Sequence, residues 1–208
     1  DGASTFADPD KAVEIYGSSL SATSDIVWPD LNGSARYFVS GWIEVDSYLE
    51  ITPGAAFDFA EDKGIDVRSS GVFVADATET DLIEFTSKTA NTGIYWKGIF
   101  INSNDARNIL SNTVVSHAGN TEWGFSGTNY ASAIGIEDGK LSLHNTTISN
   151  SKGYGVYLHS GGFPQFGSNV FENNMLDAIV MMIDQAGMID DATTFTNNGW
   201  DGVTFYNS

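Results

Sequence analysis

Four polar residues in one stretch could do proton chemistry: Lys97, Asp105, Arg107 and His117. An imidazole placed to take a proton, beside a guanidinium placed to hold an anion, is the minimum equipment for eliminating across a charged sugar. Lys97, Asp105 and Arg107 fall one strand or turn before His117 in the same expected coil. A second reading stands beside this one. His117 falls in a slot that later segments fill with Asn, and a His there can equally be a satisfied group at a chain bend. His144 and His159 stand alone in turn-like sequence and suggest no chemistry.

A different chemistry is written into AGNTEWGFSGTNYAS, residues 118–132. It carries Glu122, Trp123, Phe125, Asn129 and Tyr130, and Trp96 lies a short way upstream. Aromatic faces stack on the C–H faces of sugars while amides and carboxylates take up the hydroxyls. Loops that project from a regular scaffold are where such residues gather. The alternative is that the segment folds over a side wall and buries its rings as a satellite core. A smaller insertion, Lys88 to Gly93, leads into Tyr95 and Trp96 and is expected beside it.

Other chemistries find no foothold. The chain has no cysteine, so disulfides and thiolate metal sites are excluded. EF-hand, His-Glu-x-x-His and Gly-x-Ser-x-Gly patterns are absent. With 27 acidic against 9 basic residues the formal charge is −18, and no Lys or Arg follows Lys152. Such a surface repels nucleic acid and anionic membranes. Anionic polysaccharide would need a bridging cation, which makes Ca²⁺ the candidate ion. No apolar run is long enough to span a bilayer, so direct membrane insertion is not expected. The chain opens on Asp1 rather than Met and reads as a processed or excised piece.

The elements that must position these residues come from a repeat. Ile148-Ser-Asn150, Phe171-Glu-Asn173 and Phe195-Thr-Asn197 recur at spacings of 23 and 24 residues. Each is followed by a small residue opening a short apolar strand: Gly155-Val-Tyr-Leu, Ala178-Ile-Val-Met and Gly202-Val-Thr-Phe. Upstream, Ala133-Ile-Gly-Ile and Gly98-Ile-Phe-Ile fit the same slot, and the N-terminal part repeats in a somewhat different pattern, with Trp42-Ile-Glu-Val followed by Gly64-Ile-Asp-Val. Three short strands per repeat, separated by Gly, Asn, Asp and Ser, predict an all-β, right-handed, single-stranded parallel β-helix. About six to seven coils of ~23 residues are expected over 37–208, with 1–36 as an N-terminal cap over the first coil. Asn150, Asn173 and Asn197 should stack as a structural ladder at one bend, each amide bonding to the next coil.

YLEITPGAAFDFAEDKGIDV (Tyr48 to Val67) and WKGIFINSNDARNILSNTVVSHAG (Trp96 to Gly119), with the three C-terminal coils, resemble secreted or lipid-anchored bacterial β-helix repeat proteins of the pectin-lyase-like superfold. That resemblance implies an extracellular or cell-surface location more than an activity, since the matching motifs are coil-packing features. The leading expectation is a non-catalytic module that contacts carbohydrate or another cell-surface partner through residues 118–132. The alternatives are a polysaccharide lyase or glycoside hydrolase using His117, Arg107, Lys97 and Asp105, and a structural spacer within a larger surface protein.

Overall fold

The computed structural model describes residues 13–21, 23–31, 35–88 and 93–206 of the 208-residue chain. Among these, the chain winds through three parallel sheets, one short strand in each per turn. Sheet A stacks eight strands, from Val13–Ile15 to Thr194–Thr196. Sheet B stacks eight, from Ser18–Leu20 to Trp200–Tyr206. Sheet C stacks six, from Ile26–Trp28 to Phe166–Gly167. A 3₁₀ turn at Ile183–Met188 stands where a further strand of sheet C would fall.

This is a parallel β-helix of about eight turns, more than the six to seven expected. The difference lies at the N-terminal end. Val13–Ile15, Ser18–Leu20 and Ile26–Trp28 pair in register with Tyr37–Val39, Ile43–Val45 and Tyr48–Ile51, so they form a full first turn and not a cap. Their polar content (Ser18, Ser19, Glu14) hid the strand pattern from sequence reading. Residues 1–12, residues 32–34 and the 89–92 portion of the smaller insertion lie outside the described residues.

Period-two alternation sets the interior. Along sheet B, Ile43, Ile65, Ile99, Ile134, Val156, Ile179 and Val203 occupy one register position, turn on turn. All but Val203 are buried. Aromatic rings fill the wider first half of the core: Tyr37, Phe57 and Phe85 stack at centroid distances of 4.7 and 5.2 Å. Gly98 begins its strand at φ +115°, and a Cβ there would lie 2.3 Å from the Ala133 carbonyl oxygen, so the corner admits no side chain.

The Asn ladder is present but divided between two neighbouring residues. Asn150, Asn173 and Asn197 take left-handed φ of 54–56°, as does His117 at 54°. These residues turn the chain from sheet A to sheet B, and Asn tolerates that conformation better than most residues. The amide bridges from side chain to backbone between turns belong to the residue that follows. Asn174 Oδ1 accepts from the Ser151 amide at 3.0 Å, and its Nδ2 donates to the Ile148 carbonyl at 3.1 Å. Asn198 repeats this one turn on, accepting from the Asn174 amide and donating to the Phe171 carbonyl. The expected ladder survives in one bond, Asn197 Nδ2 donating to Asn173 Oδ1 at 3.5 Å, while the buried bridges to the backbone are made one residue on, by Asn174 and Asn198.

Candidate functional site

Residues 118–132 leave the corner between sheets A and B as an antiparallel hairpin, Trp123–Phe125 against Thr128–Tyr130. Ser126 and Gly127 make its two-residue turn, with Gly127 at φ +81°. The hairpin lies flat on the outer face of sheet B. Trp123 is 4% exposed and Phe125 6%, both packed against Phe100, Tyr157 and Val180. Trp123 stacks on Phe100 at 5.1 Å, Phe125 meets Tyr157 at 4.9 Å, and Tyr130 stacks on Tyr157 at 4.3 Å. Gly135 makes this possible: a Cβ there would sit 2.9–3.2 Å from Phe100, Phe125 and Trp123. Trp123 also donates from Nε1 to the Ser132 carbonyl, and the buried Glu137 accepts from the Ser126 amide at the hairpin tip.

The expected ligand face is therefore largely turned inward. Trp123 and Phe125 form a satellite core, as the alternative reading of this segment held. Trp96 is wholly buried in the main core, stacked 4.1 Å from Phe59 with its Nε1 donating to the Ser116 carbonyl. Tyr130 is half-buried, while Glu122 and Asn129 are exposed. One ring that sequence reading did not single out takes the open position. Trp42 is 37% exposed and meets Trp123 edge-on at 5.8 Å. Its place on the outer face follows from standing immediately before the inward Ile43.

The four proton-chemistry candidates are not brought together. Lys97 and His117 share the A-to-B corner, where the Trp96 amide donates to the His117 carbonyl at 3.1 Å. Asp105 and Arg107 lie at the other end of strand Gly98–Ile101, beyond about 13 Å of extended chain. There Arg107 is fully engaged: Asp105 accepts from its Nε at 2.9 Å and from its Nη2 at 2.7 Å. That guanidinium holds the Asp105 carboxyl down to about 2. Lys97 Nζ lies over two rings, 4.7 Å from Trp123 and 5.2 Å from Trp42. Burial lowers the Lys97 pKa, against the opposing pull of Asp62 and Asp66. His117 Nδ1 is 3.2 Å from Ser116 Oγ, and its ring faces Tyr95 at 6.3 Å.

Burial also lowers the His117 pKa, so folding favours the neutral ring. The resulting stability is present above the unfolded-state value near 6.5 and is lost as pH falls through the lower folded value. His117→Asn, which installs the residue that later turns carry there, is expected to keep the left-handed turn and remove this acid sensitivity. Melting temperatures between about pH 5 and 8 check it: the wild-type and variant curves should converge at the alkaline end and diverge at the acid end.

At the corner between sheets B and C, a cleft of about 450 Å³ is lined by Ala106, Lys140, Gly162, Phe163 and Gln185. Among the described residues no three His, Asp or Glu side chains converge as a metal-binding group. No helix among them is long and apolar enough to cross a membrane.

Fold and corner geometry together define a right-handed parallel β-helix repeat protein. A family model described as a right-handed beta helix region matches residues 132–208. No curated protein and no solved structure matches the chain at a significant level.

Proposed function

We propose that this β-helix is a non-catalytic binding module of the cell exterior or cell surface that takes carbohydrate along the A-to-B corner beside the hairpin. The observation that carries the reading is the setting of Trp42. Its indole is 37% exposed, meets the buried Trp123 edge-on and carries the Lys97 ammonium over its ring, with Glu44 on its own turn and Asp66 and Arg68 on the next. A rigid ring flanked by donors and acceptors suits a sugar, whose C–H face stacks while its hydroxyls bond at the edges. The hairpin's part is to position that ring. Separation of Arg107 and Asp105 from His117 gives the lyase or hydrolase reading no assembled acid–base set to rest on.

Affinity electrophoresis through gels containing neutral and acidic polysaccharides tests the proposal. Retardation of the wild-type protein should fall about tenfold in Trp42→Ala, the loss expected for one aromatic stacking contact worth about 1–1.5 kcal/mol, with the melting temperature nearly unchanged. Equal migration of both proteins on every gel would leave the spacer reading in its place.

A further inference from the structure

Asn120 and Lys152 stand at neighbouring A-to-B corners, one just before the hairpin and the other one turn on, and their side chains meet. Lys152 Nζ donates to Asn120 Oδ1 at 2.8 Å. From the other end of the same carboxamide, Asn120 Nδ2 donates to Asp62 Oδ1 at 2.7 Å. An amine, a carboxamide and a carboxylate are thus joined by two hydrogen bonds, the amine at the carbonyl oxygen and the carboxylate at the nitrogen. Asp62 comes from two turns back, 58 residues away in the chain, and Lys152 lies 32 residues further on. No local motif assembles the three; the winding of the chain does.

The backbone pins all three corners. The Asn120 amide donates to the Trp96 carbonyl at 3.1 Å, the Lys152 amide to the Ala118 carbonyl at 2.9 Å, and the Asp62 amide to the Tyr95 carbonyl at 3.4 Å. Gly119 lets two of the corners approach: at its φ of +75°, a Cβ would lie 2.5 Å from Ser151 Oγ and 2.9 Å from the Gly153 nitrogen. With a C=O bond of about 1.2 Å, the 2.8 Å hydrogen bond leaves Asn120 Cγ within about 4 Å of Nζ. Reacting atoms in a near-attack pair are about 3–3.5 Å apart, and groups held so act at effective concentrations far above those of free solution. Asn120 and Asp62 are half-buried, while Lys152 is exposed, so protons and released ammonia exchange directly with solvent.

We infer that Lys152 and Asn120 join in an isopeptide bond, with Asp62 as the acid–base group. The Lys152 amine, having given its extra proton to solvent, attacks Cγ; the Nζ–Cγ bond forms and the carbonyl electron pair moves onto Oδ1. Asp62 takes the surplus proton from Nζ and passes it to Nδ2, to which it is already hydrogen-bonded. The pair on Oδ1 re-forms the carbonyl, the Cγ–Nδ2 bond breaks, and ammonia departs with the electrons of that bond and takes up a proton from solvent. Overall, one ammonium and one carboxamide become a secondary amide and an ammonium ion, and nothing else is consumed. The bond closes a loop from Asn120 to Lys152 that contains the hairpin, and so staples the root of the hairpin to the turn beyond it.

Intact mass and peptide mapping test this on the purified protein, before and after incubation at neutral and at alkaline pH. Lys152→Arg, Asn120→Ala and Asp62→Asn are run alongside, with melting curves to show that each is folded. The expected wild-type protein is lighter by one ammonia, and the lighter fraction grows faster at alkaline pH, since only the neutral amine attacks. Trypsin then fails to cut after Lys152, and residues 141–208 emerge joined to residues 108–140. Lys152→Arg and Asn120→Ala keep their full mass. Asp62→Asn, which retains a residue tolerant of the φ of 57° at that position, forms the bond about a hundredfold more slowly, the loss expected for one proton-transfer group. Wild-type protein at full mass under every condition would overturn the inference. A loss of ammonia that persists in Lys152→Arg, as from succinimide closure at Asn198-Gly199, would overturn it as well. Equal rates in Asp62→Asn and wild type would overturn the role given to Asp62.

Discussion

Trp96→Ala is expected to cost about 3–5 kcal/mol of folding stability, the range for removing a large buried aromatic side chain. The indole is wholly buried, stacks on Phe59, and donates to the Ser116 carbonyl. Truncation leaves a void at the corner and an unpaired buried acceptor beside it. Urea unfolding followed by far-ultraviolet circular dichroism reads the change as a lowered midpoint with an unchanged slope. Trp42→Ala, at a ring that is 37% exposed, should move the midpoint far less. A Trp96→Ala midpoint close to wild type would mean that the ring is not packed in the core.

The second large effect separates two adjacent asparagines. Asn174→Ala removes an amide that is 1% exposed and leaves the Ser151 N–H and the Ile148 carbonyl without their partners. Each orphaned group costs about 1–3 kcal/mol, so a loss of about 2–6 kcal/mol is expected. Asn173→Gly should change stability by only a few tenths of a kcal/mol, since glycine adopts its φ of 56° without strain. Thermal melts of the two variants side by side decide it. Equal losses would show that the bridge is shared between both residues.

Much of this architecture is legible in the sequence because it repeats. Short apolar strands opened by Gly or Ala, and Asn at a fixed interval, identify stacked turns without reference to long-range pairing. Where each Asn side chain points is a one-residue question. Period-two alternation sends Asn173 outward and Asn174 inward, and a one-residue error in register exchanges their roles. Parity does not separate Trp42 from Trp96, which stand one and three residues before the equivalent inward Ile43 and Ile99. Both precede a strand of sheet B, yet Trp42 stands directly before Ile43, while Trp96 lies back in the corner under Phe59. The hairpin's resting place was illegible for a different reason. It depends on Gly135, Phe100 and Tyr157, which come from three separate turns and meet only once the sheet has formed.

The aromatic strap has a mechanical consequence. In a solenoid each turn grips only its two neighbours, so tension along the axis is borne by one interface at a time and the weakest one parts first. Here Trp123 reaches back to Trp42, Phe125 and Tyr130 reach forward to Tyr157, and Tyr157 stacks on Tyr206 near the C-terminal end. The rings therefore run like a batten nailed across several boards, spreading a pull over many interfaces. A rod with such reinforcement along one wall would resist peeling on that side and yield first along the unstrapped sheets A and C.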